Sequence, residues 1–350
     1  MKEISITGKK IGKNCPIFLI AEAGVNHNGS MIIAKKLIDI AGEAKVDAVK
    51  FQTFKTEDLI LKSTPKASYQ KKDVNDKEDF FEMIKRYELT KNQFEDIRDY
   101  CIKKDLIFLS TPFDESSVNL LEELKVPAYK VGSGDMNNFP LLKLICLKKK
   151  PILLSTGMAN FEEVAASVNF LKSNGIEEIV LFQCTTNYPA DYEEINLNVI
   201  DTFKKEFPEI LLGFSDHAIG IETSIGAAAK GVRVIEKHFT LDKEMIGPDH
   251  KASLNPNELK NWVQSIRNLE KSLGSFKKKP TKKELEIAKI VRKSIVTLKN
   301  IKRGDVLNGE NIGIKRPGIG TSPVDFEKFI GKKINRDVRI DSFIYWEDIE

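Results

Sequence analysis

The sequence predicts a (β/α)8 barrel of the α/β class followed by a small β-rich domain. Short runs rich in Ile, Val and Phe alternate with longer amphipathic segments, eight such pairs fall in about 270 residues, and the chain changes character after residue 274. The alternation argues for βα units on a parallel sheet. Candidate strands lie at 17–23, 48–52, 107–110, 128–131, 152–155, 179–183, 211–214 and 232–237, each followed by a helical stretch such as 31–44, 91–104 or 161–174. Eight units suit a closed barrel, whereas an open doubly wound sheet usually stops near about five or six strands.

The eighth helix is expected at 256–273, and the stretch 274–283 that follows holds Gly, Ser, Pro and five lysines, which marks a linker. The expected division is a barrel at 1–274, a linker at 275–288 and a β-rich domain at 289–350. The last part is short and turn-punctuated, as in Lys302-Arg303-Gly304-Asp305 and Lys315-Arg316-Pro317-Gly318. About 60 residues is near the lower limit for independent stability, so this domain is expected to lean on a partner surface.

Composition narrows the function. The 350 residues are 41% hydrophobic and 30% charged, enough for one large core. Basic residues number 55 against 51 acidic, a net charge of +4 spread along the chain, which excludes the electrostatic footprint of a nucleic-acid binder. Cys15, Cys101, Cys146 and Cys184 lie far apart without a C-x-x-C pair, which fits reduced thiols better than a disulfide frame or zinc ribbon. The start carries no signal-peptide h-region, and no apolar run approaches the roughly 18 residues of a membrane span. A cytoplasmic protein with neither nucleic-acid nor membrane partners is expected.

In such a barrel the active site lies at the C-terminal ends of the strands. Polar residues stand at all eight: Glu22; Lys50 and Gln52; Ser110 and Thr111; Lys130, Ser133 and Asp135; Ser155 and Thr156; Thr185, Thr186 and Tyr188; Ser215 and His217; Glu236 and His238. Two lysines with hydroxyls and glycine-flanked amides describe a site for an anion such as a phosphorylated acid. The plain alternative is that both lysines snorkel at the rim, but a lysine within an apolar run needs a partner. Glu22, inside an apolar strand, needs one too, most simply Lys50.

His217 and His238 cap consecutive strands, a spacing that suits a divalent ion with open positions or a purely structural pair. No cysteine or third strand-end histidine is expected beside them, which argues against structural zinc. Asp135 and Asp249 each read as a general base, a sugar-hydroxyl acceptor or a solvated loop acid.

Eight ordered blocks then make the chain resemble the sialic acid synthase family, which includes N-acetylneuraminate, legionaminate and pseudaminate synthases. They are Ala21-Glu22-Ala23-Gly24-Val25-Asn26-His27-Asn28-Gly29, Val49-Lys50-Phe51-Gln52-Thr53, Leu109-Ser110-Thr111-Pro112-Phe113, Lys130-Val131-Gly132-Ser133-Gly134, Leu154-Ser155-Thr156-Gly157-Met158, Gly213-Phe214-Ser215-Asp216-His217, Glu236-Lys237-His238-Phe239-Thr240 and Gly247-Pro248-Asp249. The tail resembles the antifreeze-protein-like (SAF, β-clip) module of these enzymes.

The resemblance implies that Lys50, Thr111, Lys130, Ser133 and Ser155 hold phosphoenolpyruvate, and that His217 and His238 bind Mn2+ or Mg2+. It places Glu22, Gln52, Tyr188 and Asp249 around the acceptor sugar. It also implies a swapped homodimer in which Arg316 of the small domain reaches the partner's acceptor. The implied reaction joins phosphoenolpyruvate to N-acetylmannosamine, giving N-acetylneuraminate and phosphate by C–O cleavage. Asp135 departs from the glutamate common in bacterial members and matches animal enzymes that use a 6-phosphorylated sugar, whereas Arg316-Pro317-Gly318 favours an unphosphorylated one. An aspartate is one methylene shorter, so its reach to the attacking water must be re-made.

The nearest rival is a legionaminate-type synthase taking a 2,4-diacetamido-2,4,6-trideoxy sugar, with the loop 65–70 expected to line the acceptor site in either case. A non-catalytic polysaccharide assembly protein is the reading from another class, and the completeness of lysines and histidines argues against it. An ice-binding module is a likeness of shape only.

Overall fold

The computed structural model describes residues 3–64 and 79–350, so the loop 65–70 lies outside the described residues. The chain divides into two compact units, Met1–Gly274 and Ser275–Glu350.

The first unit opens with a small antiparallel hairpin, β1 (Ile4–Ile6) and β2 (Lys9–Ile11), which the sequence reading did not anticipate. Eight parallel strands follow among the described residues: β3 (Phe18–Gly24), β4 (Ala48–Thr53), β5 (Ile107–Pro112), β6 (Tyr129–Val131), β7 (Ile152–Ser155), β8 (Ile179–Cys184), β9 (Leu211–Asp216) and β10 (Val234–His238). Their order is β5-β4-β3-β10-β9-β8-β7-β6, and the two end strands pack against each other, so the sheet closes into a nearly complete (β/α)8 barrel.

Period-two alternation explains where everything points. Leu19, Val49, Phe108, Leu154, Leu181, Phe214 and Ile235 face outward into a shell shared with the helices. Phe18, Ile20, Ala48, Leu109, Leu153, Val180, Leu211 and Val234 face inward and pack with Ile4, Ile6 and Ile11 of the hairpin, which plugs the N-terminal end. Further along the strands the inner face turns polar, at Glu22, Lys50, Thr111, Lys130, Ser155, Ser215 and Glu236, and that switch builds the site.

The helices start where the sequence supplies caps. Thr90 with Gln93, Asn160 with Glu163 and Asn255 with Glu258 form capping boxes for Lys91–Lys103, Phe161–Ser173 and Pro256–Leu273. Among the described residues no helix is long and apolar enough to cross a membrane.

The second unit has its own small core of Ile295, Ile301, Leu307, Ile312, Phe329, Ile334, Val338 and Ile344 around β11 (Ser294–Thr297) and β12 (Ile312–Lys315), an antiparallel pair. The stretch 275–288, expected as a linker, instead enters the helix Lys282–Val291. A Thr281–Glu284 capping box starts that helix, a signal hidden by the run of lysines.

Candidate active site

The inner polar layer forms one connected cluster. Glu22 on β3 meets Lys50 on β4, with Lys50 Nζ 2.8 Å from Glu22 Oε2. The same ammonium donates to Thr111 Oγ1 on β5 at 2.8 Å and lies 3.6 Å from Glu236 Oε1 on β10. Across the barrel, Lys130 on β6 donates to Ser155 Oγ on β7 at 2.8 Å and to Glu236 Oε1 at 3.3 Å, with its Nζ over the Phe182 ring. Glu236 therefore sits between the two lysines, and Ser215 Oγ on β9 donates to it as well, at 3.3 Å. All of these side chains are buried.

This packing sets the charges. Burial pushes the Glu22 carboxyl up to about 8, against the pull of Lys50. Burial would pull Lys50 down, but the Glu22 and Glu236 carboxylates outweigh it and hold the ammonium above its ordinary value. Lys130 is drawn below its usual value by burial, which Glu236 only partly offsets. Burial would raise Glu236, yet the two lysines hold it below the usual carboxylate range. Its Oε2 is buried without a hydrogen-bond partner, as a site built for a further polar guest would leave it.

The histidines stand beside this cluster. The His217 and His238 ring centroids are 5.6 Å apart, and Tyr188 covers both, its Oη 3.1 Å from His217 Nε2. His217 Nδ1 lies 2.7 Å from the Thr185 carbonyl, an acceptor only, so Nδ1 carries the proton and Nε2 keeps a lone pair. Burial, reinforced by His217 and nearby lysines, holds His238 well below its usual value and keeps it neutral. Its Nδ1 is buried with no hydrogen-bond partner, 3.8 Å from Asp249 Oδ2. Burial pushes the Asp249 carboxyl up to about 6.

Burial would lower His217, but Cys184, the Thr185 carbonyl and Glu236 outweigh it and hold the ring above its usual value. Once that ring gives up its second proton, the two imidazoles have lone pairs that fit a divalent ion with open positions for oxygen ligands. Among the described residues no group of three or more His, Cys, Asp or Glu side chains is arranged to hold a metal, so these two rings are the protein's offer.

Gly24 makes this convergence possible. Its φ is +51°, and a Cβ there would come within 3.4 Å of Glu22 Oε1 and His238 Cε1 and 3.6 Å of Gln52 Nε2, which places Gln52 in the same corner. The loop carrying Asp249 is tied down by His250, buried against Thr240 Oγ1 at 2.6 Å and Asn28 Oδ1 at 3.2 Å. Ser133 Oγ accepts from Gly157 N–H at 3.0 Å, and Asp135, half-buried, accepts from Asn138 Nδ2 at 3.0 Å and is raised by burial. Arg316 follows β12 and is exposed in the second unit.

One expectation is corrected. Cys184, the last residue of β8, stands beside the histidines after all, with Sγ 3.9 Å from His217 Nδ1. Position 184 shares the inward parity of Val180 and Phe182 on β8, a signal that residue chemistry alone does not carry. Glu236 and Ser215 join the site as well, since each lies two residues before a histidine on the same inner face.

A NeuB family profile matches residues 37–278, and a SAF domain profile matches 292–350. The chain belongs to the NeuB family. It is 44% identical to the N,N'-diacetyllegionaminic acid synthase of Campylobacter jejuni over 93% of this chain and 98% of that one. It is 35% identical to human N-acetylneuraminate-9-phosphate synthase over 98% and 95%. Its fold matches the crystal structure of the N-acetylneuraminic acid (sialic acid) synthetase of Leptospira borgpetersenii in complex with citrate, with a TM-score of 0.73 and 34% identity over 82% and 95%. As a NeuB-family protein it is an enzyme of the transferase class, a barrel with a C-terminal SAF domain.

Proposed function

We propose that this enzyme condenses phosphoenolpyruvate with an N-acetylated amino sugar and water to give a nine-carbon sugar acid and phosphate. The observation that carries the reading is the buried cluster in which Lys50 and Lys130, each hydrogen-bonded to a hydroxyl, flank Glu236. Those ammonium and hydroxyl donors, with Ser133, suit the phosphate and carboxylate of phosphoenolpyruvate. His217 and His238 would hold a divalent ion, Mn2+ or Mg2+, which supplies Lewis-acid polarisation of the sugar aldehyde when bound.

C3 of phosphoenolpyruvate forms the new bond to the aldehyde carbon, and the aldehyde oxygen gains a proton. Asp135 takes a proton from the water that adds at C2, and the C2–O bond then breaks to release phosphate. Glu22, with a proton to share, and Gln52, Tyr188 and Asp249 orient the acceptor's hydroxyl and amide groups. A swapped homodimer in the cytoplasm, with Arg316 reaching the partner's acceptor, completes this reading, and a fully active monomer on a sizing column would remove the role of Arg316.

The first acceptor to consider is N-acetylmannosamine. A second reading, 2,4-diacetamido-2,4,6-trideoxymannose, is favoured by 44% and 40% identity to two proteins named as legionaminic acid synthases, against 35% to the human 9-phosphate synthase. Phosphate release is followed with Mn2+ and each of these sugars, and with N-acetylmannosamine 6-phosphate. Release with one acceptor that EDTA abolishes supports the reading; silence with all three contradicts it.

A further inference from the structure

The inner faces of β9 and β10 lead to the histidines, but the residue before each histidine points the other way. Asp216 and Lys237 are register partners on the outer face, where their neighbours Leu212, Phe214 and Ile235 belong to the apolar shell. Both side chains are fully buried, with Lys237 Nζ 3.1 Å from Asp216 Oδ2. An ion pair in such a layer gains little stability over well-packed apolar residues, because desolvating two charges cancels most of their attraction.

What the pair does is hold one residue, Ala218, through the two peptide groups that flank its Cα. Asp216 Oδ1 accepts from the Ala218 N–H at 3.0 Å, and Lys237 Nζ donates to the Ala218 carbonyl at 2.7 Å. Thr223 and Ser224, in the first turn of the helix Glu222–Ala229, donate their hydroxyls to the same carboxylate. The β9–β10 ladder ends at the Lys237–Asp216 rung, one residue short of both histidines. Past that rung, His217 is bracketed by Asp216 and Ala218, and its own carbonyl accepts from Ala190 N–H at 2.9 Å.

We propose that the Asp216–Lys237 pair is a positioning device: by pinning Ala218 at both its N–H and its carbonyl, it sets the His217 imidazole against that of His238. The proposal rests on the reading that these two rings hold a divalent ion. Neither Asp216 nor Lys237 faces the substrate cluster, and both act only through the backbone that carries the histidines.

The test is Mn2+ binding to the metal-free full-length protein, read by the electron paramagnetic resonance of free Mn2+, alongside thermal melts. The chains are the wild type, Lys237→Met, Lys237→Arg and Leu37→Ala, the last opening a cavity in the helix Met31–Ala44 as a control for lost stability alone. Lys237→Met is expected to bind Mn2+ roughly 10–100-fold more weakly, the loss typical when the support of a metal-binding histidine is removed. Lys237→Arg should lose less in the same direction, and Leu37→Ala should melt earlier with unchanged affinity. Wild-type affinity in Lys237→Met overturns the proposal, as it does in Lys237→Arg should the Met variant fail to fold. A loss in Leu37→Ala equal to that in Lys237→Met overturns it as well. If the unaltered chain itself binds no Mn2+, the metal reading fails and this proposal with it, a result seen before any variant is compared.

Discussion

Replacing Lys50 with Met removes a cation that three partners share. Its Nζ lies 2.8 Å from Glu22 Oε2, 2.8 Å from Thr111 Oγ1 and 3.6 Å from Glu236 Oε1. Breaking a buried ion pair from one side costs about 3–5 kcal/mol, because the charge left behind has neither water nor partner. Two features push this case to the lower end. The Glu22 carboxyl, already raised to about 8, can carry a proton at neutral pH, and Lys130 remains 3.3 Å from Glu236. A loss of about 3 kcal/mol is therefore expected, seen as a lower melting midpoint with an unchanged circular dichroism spectrum. The functional effect is separate. A hydrogen bond to a charged group contributes about 1.5–3 kcal/mol, so losing the ammonium proposed to meet phosphoenolpyruvate should raise its KM roughly 10–150-fold. Initial rates of phosphate release across a range of phosphoenolpyruvate, with acceptor and metal in excess, read this directly. A destabilised enzyme with an unchanged KM would refute the assignment and leave Lys50 as no more than the counter-ion of Glu22.

Asp135→Asn keeps the hydrogen-bonding shape and removes the proposed base, so kcat should fall by about 10²–10⁴ while the KM for phosphoenolpyruvate stays near its wild-type value; a shift in KM alone would move the base elsewhere. Glu22 is raised from 4.5 to about 8, so between those values the folded chain holds a proton that the unfolded chain has lost, and stability falls as pH rises through that window. Glu22→Gln should flatten this part of the melting curve against pH, and parallel curves for the two proteins would contradict the shift. His217→Ala and His238→Ala should each abolish turnover with melting midpoints close to wild type; retained activity in both would place any metal elsewhere.

Much of this architecture was legible in the sequence because barrel strands and helices carry strong periodic signals. The helices Met31–Ala44 and Pro256–Leu273 begin and end where the sequence pattern placed them, and each of the eight strands falls within a few residues of its expected place. The hairpin β1–β2 leaves no such signal, because two three-residue strands are too short for alternation to show. The helix Lys282–Val291 was masked by lysines that read as linker composition. Within the site, chemistry and position identified the lysines and histidines, whereas Cys184, Ser215 and Glu236 needed parity: counting back in twos from His217 and His238 puts Ser215 and Glu236 on the same inner face. The same parity puts Asp216 and Lys237 outside, where charged residues contradict the local apolar pattern; sequence shows that contradiction, and only the folded backbone shows that both reach Ala218.

The central claim is that this barrel joins phosphoenolpyruvate to a sugar aldehyde and expels phosphate by breaking the C2–O bond. Phosphoenolpyruvate labelled with oxygen-18 in the bridging position, turned over with the accepted sugar, tests it in one mass measurement. The label is expected to leave in the inorganic phosphate while the sugar acid carries oxygen from water at C2. Label retained in the sugar acid, or phosphate released without any acceptor, would contradict it.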